Sequence, residues 1–271
     1  MTDFAAAIVI PLKTQVSCYL EQCVQSAVTQ TVPSQVIVIT SQDTPSDNLD
    51  VLTGLARLYP NLRVQEGIAG SGFAQSLNQG IALAETERVG FLLSDDWLLE
   101  TAVEYCLAHS ADIVCTGHCG YSADGQQQFW ERRLSIEAFE QLQTLEQKAN
   151  YLTHFFLFKR SALLEVGGVD PGIGLTGADD YDLPWTMLER GASVAMVPEP
   201  QYCVHDHDGT RLTLRDPDLQ IADLRKIFAK HGVASDEVEQ LIEIKRRWYG
   251  VPTHVAMASI SAKDTGSSSD A

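Results

Sequence analysis

The chain has 271 residues, with 19 lysines and arginines against 36 aspartates and glutamates, a formal net charge of −17. Nucleic-acid binding draws its affinity from neutralising phosphates with basic side chains, so this balance excludes a nucleic-acid partner and works against binding to an anionic membrane surface. With 45% hydrophobic and 20% charged residues, the composition is that of a folded protein with a substantial core, expected to be an enzyme or a binding module for a small molecule.

The apolar run Ala6 to Ile10, closed by Pro11, reads as a strand covered on both faces, because its hydrophobicity is continuous rather than alternating. Tyr19-Leu20, Cys23-Val24 and Ala27-Val28 follow at helical spacing, and Val36 to Ile39 is a second buried strand. Leu52, Leu55 and Leu58 mark a second helix, Leu62 to Gln65 a third strand, and Phe73, Leu77 and Ile81 a third helix. Between the last two lies a glycine loop at Gly67, Gly70 and Gly72, which lacks the spacing of a dinucleotide fingerprint. Val89 to Leu93 is the fourth strand. Strand and helix thus alternate through the first ninety or so residues, which predicts an α/β fold with a mostly parallel central sheet. In such sheets ligands bind beyond the carboxyl ends of the strands. Attention therefore falls on Pro11-Leu12-Lys13, Thr40 to Asp43, Glu66-Gly67 and Ser94 to Trp97.

The second half is less regular. A strand is expected at 112–116, loop or edge structure at 118–135 with an exposed Phe129-Trp130, and helices near 136–149, 160–166 and 180–190. A strand at 193–197 and amphipathic helices at about 216–231 and 235–248 follow, and the polar tail 259–271 is expected to be disordered. The domain is therefore placed at 1–258. The six cysteines form no C-x-x-C pair, which argues against zinc ribbons and for reduced thiols in a cytoplasmic protein. The apolar run near the N-terminus is too short for a signal peptide or a membrane span.

Two acidic turns hold the chemistry. Asp95-Asp96 directly follows the fourth strand, and adjacent carboxylates there call for a compensating cation such as Mg²⁺ or Mn²⁺, or else one of them caps a helix starting near Leu98. Gly177-Ala178-Asp179-Asp180-Tyr181-Asp182 gathers more carboxylates than one helix cap requires: a positioned carboxylate is what a general base needs, and the alternative is a helix cap continued by a solvated helix face. His205 and His207 stand two residues apart in a loop, where one of them suits a metal or a phosphate.

Taken in order, these pieces resemble the family 2 glycosyltransferases of the GT-A fold, an αβα sandwich that binds nucleotide-diphospho-sugars. The opening strand ending V-I-P-x-x-N is matched by Ile8 to Thr14, the S-x-x-x-Q-T helix end by Ser26 to Thr31, and a-r-N-x-G-i by Ser76 to Ile81. The D-x-D-like element falls at Phe91 to Asp96, f-x-r-x-x-l-x-x-v-G-G-f-D at Phe158 to Asp170, g-E-D-y-D-l at Gly177 to Leu183, and v-P-e at Val197 to Glu199. The matches cover roughly residues 6 to 210. The resemblance implies a metal-dependent, inverting transfer of a sugar from a nucleotide-diphosphate donor to an acceptor hydroxyl, with Mn²⁺ or Mg²⁺ as cofactor. It implies a nucleotide-binding half at about 1–117, an acceptor-side half at about 118–210, and C-terminal helices at about 211–250. By carry-over, Asp180 is the catalytic base and Asp96 and His207 are metal ligands, with His205 competing for the latter place. Pro11, Lys13, Ser41, Asp43, Asn78, Asp95 and Asp179 are expected to contact substrate. Trp130 is a candidate for the acceptor wall, the alternative being that Phe129 and Trp130 form an aromatic pair that anchors a loop. The acceptor is expected to be a glycan, a lipid-linked sugar or a small molecule; peripheral membrane association through a partner is compatible with this.

Departures from the family cluster at the nucleoside pocket. Ser41 stands where the family has the aspartate that recognises the base, Lys13 and Thr14 replace the usual residues after the first proline, and Leu77 replaces an arginine. Asp179 replaces the family's glutamate. The expected consequence is an altered donor pocket. The alternative is a catalytically silent GT-A domain that serves as a binding or scaffold protein. A nucleotidyltransferase is a third, poorer fit, because the segment after the first strand lacks a glycine-rich basic loop.

Overall fold

In a computed structural model, residues 3–174, 176–207, 214, 216–246, 249 and 254–255 are described. The chain runs β1 (Ala6–Leu12), α1 (Ser17–Val28), β2 (Ser34–Thr40), α2 (Ser46–Leu58), β3 (Leu62–Glu66), α3 (Phe73–Leu83), β4 (Arg88–Phe91), β5 (Trp97–Leu98) and α4 (Ala102–Leu107). It continues with β6 (Ile113–Ser122), β7 (Gln128–Arg132), α5 (Ile136–Gln141), α6 (Leu145–Tyr151), β8 (Phe156–Lys159) and α7 (Arg160–Glu165). A π-helical turn, Ala178–Asp182, then leads into α8 (Leu183–Glu189), β9 (Val194–Asp206), α9 (Pro217–Lys230) and α10 (Ser235–Arg246). The tail 259–271 lies outside the described residues. Among the described residues no helix is long and apolar enough to cross a membrane.

The strands form one sheet in the order β3-β2-β1-β4-β8-β6-β9-β5, with β7 paired to β6. Its first half is parallel, as the strand–helix alternation predicts. The sheet as a whole is mixed, which corrects the expectation of a mostly parallel one: β8 runs antiparallel to both β4 and β6, and β5 and β7 pair antiparallel with β9 and β6. Local sequence cannot report this, because direction is decided by the long connections between strands.

Residues of β1 alternate between two buried clusters. Ala7 and Val9 belong to one cluster with residues of α3 and α5 to α10, whereas Ile8 and Ile10 belong to another with residues of α1, α2 and α4. Both faces of the sheet are therefore covered, which explains the continuous apolar runs. Burying each such Val, Ile or Leu contributes roughly 1.5–3 kcal/mol. Gly80 is needed for the close approach of α3 to β1, since a Cβ there would lie 2.2 Å from Val9 Cγ1.

Several boundaries differ from those read in the sequence, each for a local reason. The helix expected at 136–149 divides into α5 and α6, because Leu142 is extended and Thr144 opens a fresh helix by accepting from Gln147 N. The strand expected at 193–197 runs on to Asp206, with register irregularities opposite Pro198 and Pro200, whose rings remove ladder donors without ending the strand. The expected edge at 118–135 is the β6–β7 hairpin.

Candidate active site

The first acidic turn closes just beyond β4. Leu92 N still donates to Val9 O, and Asp96 N donates to Leu93 O across a turn centred on Ser94-Asp95. No helix starts here: the chain goes straight into β5, which pairs with Tyr202-Cys203 of β9. Neither aspartate is thus a helix cap. Asp96 is buried, and its two carboxylate oxygens accept from the Tyr202 hydroxyl at 2.7 Å and from His205 N at 3.0 Å. Burial, followed by the nearby Asp96 charge, holds the Tyr202 phenol well above its ordinary range, so it stays a donor. Asp95 is the more open carboxylate, 20% exposed, with its Oδ2 3.4 Å from His207 Nε2.

The two histidines separate in role. The ring of His205 is held between Tyr19 and Trp97, with centroids 4.6 and 4.3 Å away, and its Nδ1 contacts the Asp95 carbonyl. It clamps the turn. His207, 5.0 Å from the Tyr19 ring, is the one that faces the Asp95 carboxylate. The pair Asp95–His207 therefore replaces the expected pair Asp96–His207 as the juxtaposed set, because Asp96 is drawn inward by its two protein donors. Among the described residues no third His, Cys, Asp or Glu joins them in a metal-holding group. An oxygen ligand beside an imidazole still suits Mn²⁺ or Mg²⁺, ions that take up water and phosphate oxygens in their remaining positions.

The second acidic cluster sits on the π-helical turn, entered through Gly177 at φ +77°. Asp179 is buried, and its Oδ2 finds no hydrogen-bond donor among the described residues, whereas the Asp180 side chain is 45% exposed. His154 Nε2 stands 3.9 Å from Asp179 Oδ2 and 3.7 Å from Asp180 Oδ2, beyond hydrogen-bond length but close enough for electrostatic influence. Burial lowers the His154 pKa although Asp180 opposes it, so the imidazole remains neutral near pH 7. The Asp179 carboxyl is raised well above its ordinary range, first by burial and then by the Asp180 charge.

The two clusters meet through aromatic rings. His154 stacks on Tyr202 at 5.2 Å and 24°, and Tyr202 is the residue that holds Asp96. His154 was not visible as a functional candidate in the sequence. It precedes β8, apolar up to Lys159, and only the antiparallel direction of β8 brings the start of that strand to the edge where β4 ends.

The remaining candidates divide. Pro11 lies near the end of β1 and Lys13 is exposed just beyond it, while Ser41 N is tied to Leu12 O at 2.9 Å at the end of β2. The Ser41 hydroxyl accepts from Asp43 N at 3.4 Å, leaving the exposed Asp43 side chain on the outside of this turn. Asn78 is engaged elsewhere: its Oδ1 accepts from Val169 N at 2.8 Å and its Nδ2 donates to Val169 O at 2.7 Å. Its amide is thus bonded to the fold where a substrate contact was expected, and the N-x-G and G-G-x-D motifs brace each other. Trp130 packs within its own hairpin. Strand alternation in β7 sends Phe129, 39% exposed, outward, and turns the Trp130 indole onto Gly120 and edge-on to His118 at 4.9 Å.

One stability prediction arises from Asp179. Because its folded pKa is raised, wild-type stability is greatest below the unfolded pKa of about 3.9 and falls as pH rises through the folded value. Asp179→Asn removes the ionisable group at nearly constant shape, and with it the cost of burying a carboxyl that ionises freely in the unfolded chain, so it is expected to stabilise by about 1–3 kcal/mol at pH 7. Thermal melts should show a Tm gain of a few degrees at pH 7 that shrinks towards pH 4; an equal gain at both pH values contradicts the argument.

A mixed sheet covered by helices on both faces is the α/β architecture of the GT-A glycosyltransferases. The sequence profile of Glycosyl transferase family 2 matches residues 7–167, and the chain belongs to that family. It is 24% identical over 212 residues to the O-antigen biosynthesis protein RfbC of Myxococcus xanthus, covering 75% of this chain and 16% of that protein. It is 34% identical over 89 residues to the chondroitin synthase of Pasteurella multocida, covering 33% of this chain and 9% of that one. The chain thus spans under a fifth of the length of these curated relatives. In fold it resembles S. aureus TarS 1-349, crystallised with UDP-GlcNAc, at 18% identity and a TM-score of 0.62, covering 88% of this chain and 70% of TarS 1-349. It also resembles the mannosyltransferase PcManGT of Pyrobaculum calidifontis, in complex with GDP-Man and Mn²⁺, at 17% identity and a TM-score of 0.64, covering 95% and 75% of the two chains.

Proposed function

We propose that this chain transfers a sugar from a nucleotide-diphosphate donor to an acceptor hydroxyl, with inversion at the anomeric carbon. The observation that carries the reading is the convergence of the two acidic segments, Asp95-Asp96 and Asp179-Asp180, on the His154–Tyr202 stack. An inverting displacement needs a base and a leaving group on opposite sides of one carbon, and two separately held carboxylate sites supply that arrangement.

Asp180, the exposed member of its pair, takes the proton of the attacking hydroxyl. Burial, then the Asp180 charge, raises the pKa of Asp179 and so disfavours a second charge beside the base. The neutral imidazole of His154 lies against both and fixes the distance between the base and the donor side. On the donor side, Asp95 and His207 would hold Mn²⁺ or Mg²⁺, with Asp96 anchoring the turn from within. When bound, the ion neutralises the departing diphosphate and orients it. The donor occupies the half at about 1–117, where Pro11, Lys13, Ser41 and Asp43 border the nucleoside, and the acceptor approaches from the half at about 118–210. Residues 179–180 lie beyond the matched span, so the base assignment rests on the likeness of Gly177 to Leu183 to the g-E-D-y-D-l element and on the exposure of the Asp180 side chain.

The test is calorimetry of the purified chain against a panel of nucleotide sugars, including UDP-GlcNAc and GDP-mannose, with and without Mn²⁺. Binding of at least one donor that strengthens about tenfold or more with Mn²⁺ is expected. No binding to any member in either condition overturns the proposal and leaves a silent GT-A domain.

A further inference from the structure

Two motif aspartates, Asp170 and Asp182, have no part in the reaction just described, yet both converge on one cation. Lys230 Nζ lies 2.9 Å from Asp170 Oδ2 and 2.7 Å from Asp182 Oδ2. The Asp182 side chain is 1% exposed, and its other oxygen meets His231 Nε2 at 3.0 Å. His231 is itself fully enclosed: its Nδ1 reaches Glu189 at 2.8 Å, and its ring stacks on Trp185 at 4.2 Å and 6°. A carboxylate this deeply buried is stable only while its partners hold it, and breaking a buried pair on one side is strongly destabilising at that place.

Asp182 is the last residue of the π-helical turn whose third residue is Asp180. The turn's other end closes on itself and lies close to Ile227 of α9. Gly177 O accepts from Asp182 N at 2.7 Å and from Tyr181 N at 3.3 Å, and a Cβ on Gly177 would lie 3.0 Å from Ile227 Cδ1. A π-helical turn is a rare, locally costly conformation that persists only where its surroundings fix it. Burial opposes the Lys230 charge, but the Asp182 and Asp170 carboxylates outweigh it and hold the ammonium above its ordinary pKa, so the bracket is charged at neutral pH.

We propose that Lys230 and His231, at the C-terminal end of α9, are positioning residues that fix the turn carrying Asp180 and join it to the G-G-x-D segment through Asp170. The inference rests on the reading of Asp180 as base. It makes α9, which follows the last strand of the sheet, a working part of the site rather than an appended helix.

The test uses the full chain and three variants, Lys230→Met, Lys230→Arg and His231→Gln. Each is followed by hydrogen–deuterium exchange and by hydrolysis of UDP-GlcNAc and GDP-mannose with Mn²⁺. In Lys230→Met, exchange at 178–182 is expected to rise about tenfold or more while β1 and β4 keep their protection. The kcat should fall about tenfold or more with donor KM within about twofold, because the donor side is untouched. Lys230→Arg should recover both, since a guanidinium can span the same two carboxylates. Unchanged exchange at 178–182 overturns the inference, as does a kcat loss that Lys230→Arg fails to recover. If Lys230→Met loses protection throughout, His231→Gln decides: loss confined to 178–182 supports the bracket, and full protection there overturns it. If the wild-type chain hydrolyses neither probe, the exchange measurement still decides the bracket, and only the enzymatic reading of Asp180 is in doubt.

Discussion

Asp180→Asn is expected to lower donor turnover by about 10²–10⁴-fold, the contribution typical of a positioned general base. The asparagine has nearly the same shape, so the loss isolates the proton acceptor. The side chain is 45% exposed and, among the described residues, supports no hydrogen bond, so the melting temperature should move by less than about 2 °C. Donor affinity in the presence of Mn²⁺ should stay within about twofold, because Asp95 and His207 sit on different segments and remain intact. The decisive combination is a collapsed kcat with preserved donor binding. A kcat within about threefold of wild type would remove Asp180 from the base role.

Substitution on the donor side should give the reverse pattern. Asp95→Asn is expected to weaken Mn²⁺-dependent donor binding by about 10–100-fold and to leave the melting temperature nearly unchanged. A chelator should reduce wild-type binding by a similar factor and should add little to the effect in the variant, since both remove the same interaction. Asp96→Asn should behave differently. It replaces the carboxylate that accepts from Tyr202 and His205, so its first consequence is a lower melting temperature, by an amount corresponding to about 1–3 kcal/mol. Titrating Mn²⁺ into both variants with a fixed nucleotide sugar separates the two roles. If Asp96→Asn abolished the Mn²⁺ response while Asp95→Asn retained it, the assignment of the ligand position would be reversed.

The contrast between these neighbours shows how much of the site was legible in the sequence. That two acidic segments matter could be read from their positions, one directly after a buried strand and one exceeding the needs of a helix cap. Which carboxylate faces outward could not be read, because the answer depends on Tyr202 and His205 arriving from a strand more than a hundred residues later. Asn78 illustrates the same limit from the other side. Its motif marked it as a substrate contact, but its amide is closed on Val169 by a loop ninety residues away. The partnering of Lys230 with Asp170 and Asp182 left no trace in spacing or periodicity.

By itself, then, the sequence determined the two-sided core, through the continuous apolar runs at β1, β2 and β4, and the order of elements through the parallel half of the sheet. Hydrophobic burial is local in its signature, so composition and period suffice to announce it. The reversed direction of β8 was decided only in three dimensions, and with it the arrival of His154 at the acidic edge, the inward turn of Asp96 and the bracket behind Asp180. Each of these rests on contacts between residues far apart in the chain, whose partners are chosen by strand direction and packing rather than by any neighbour in sequence.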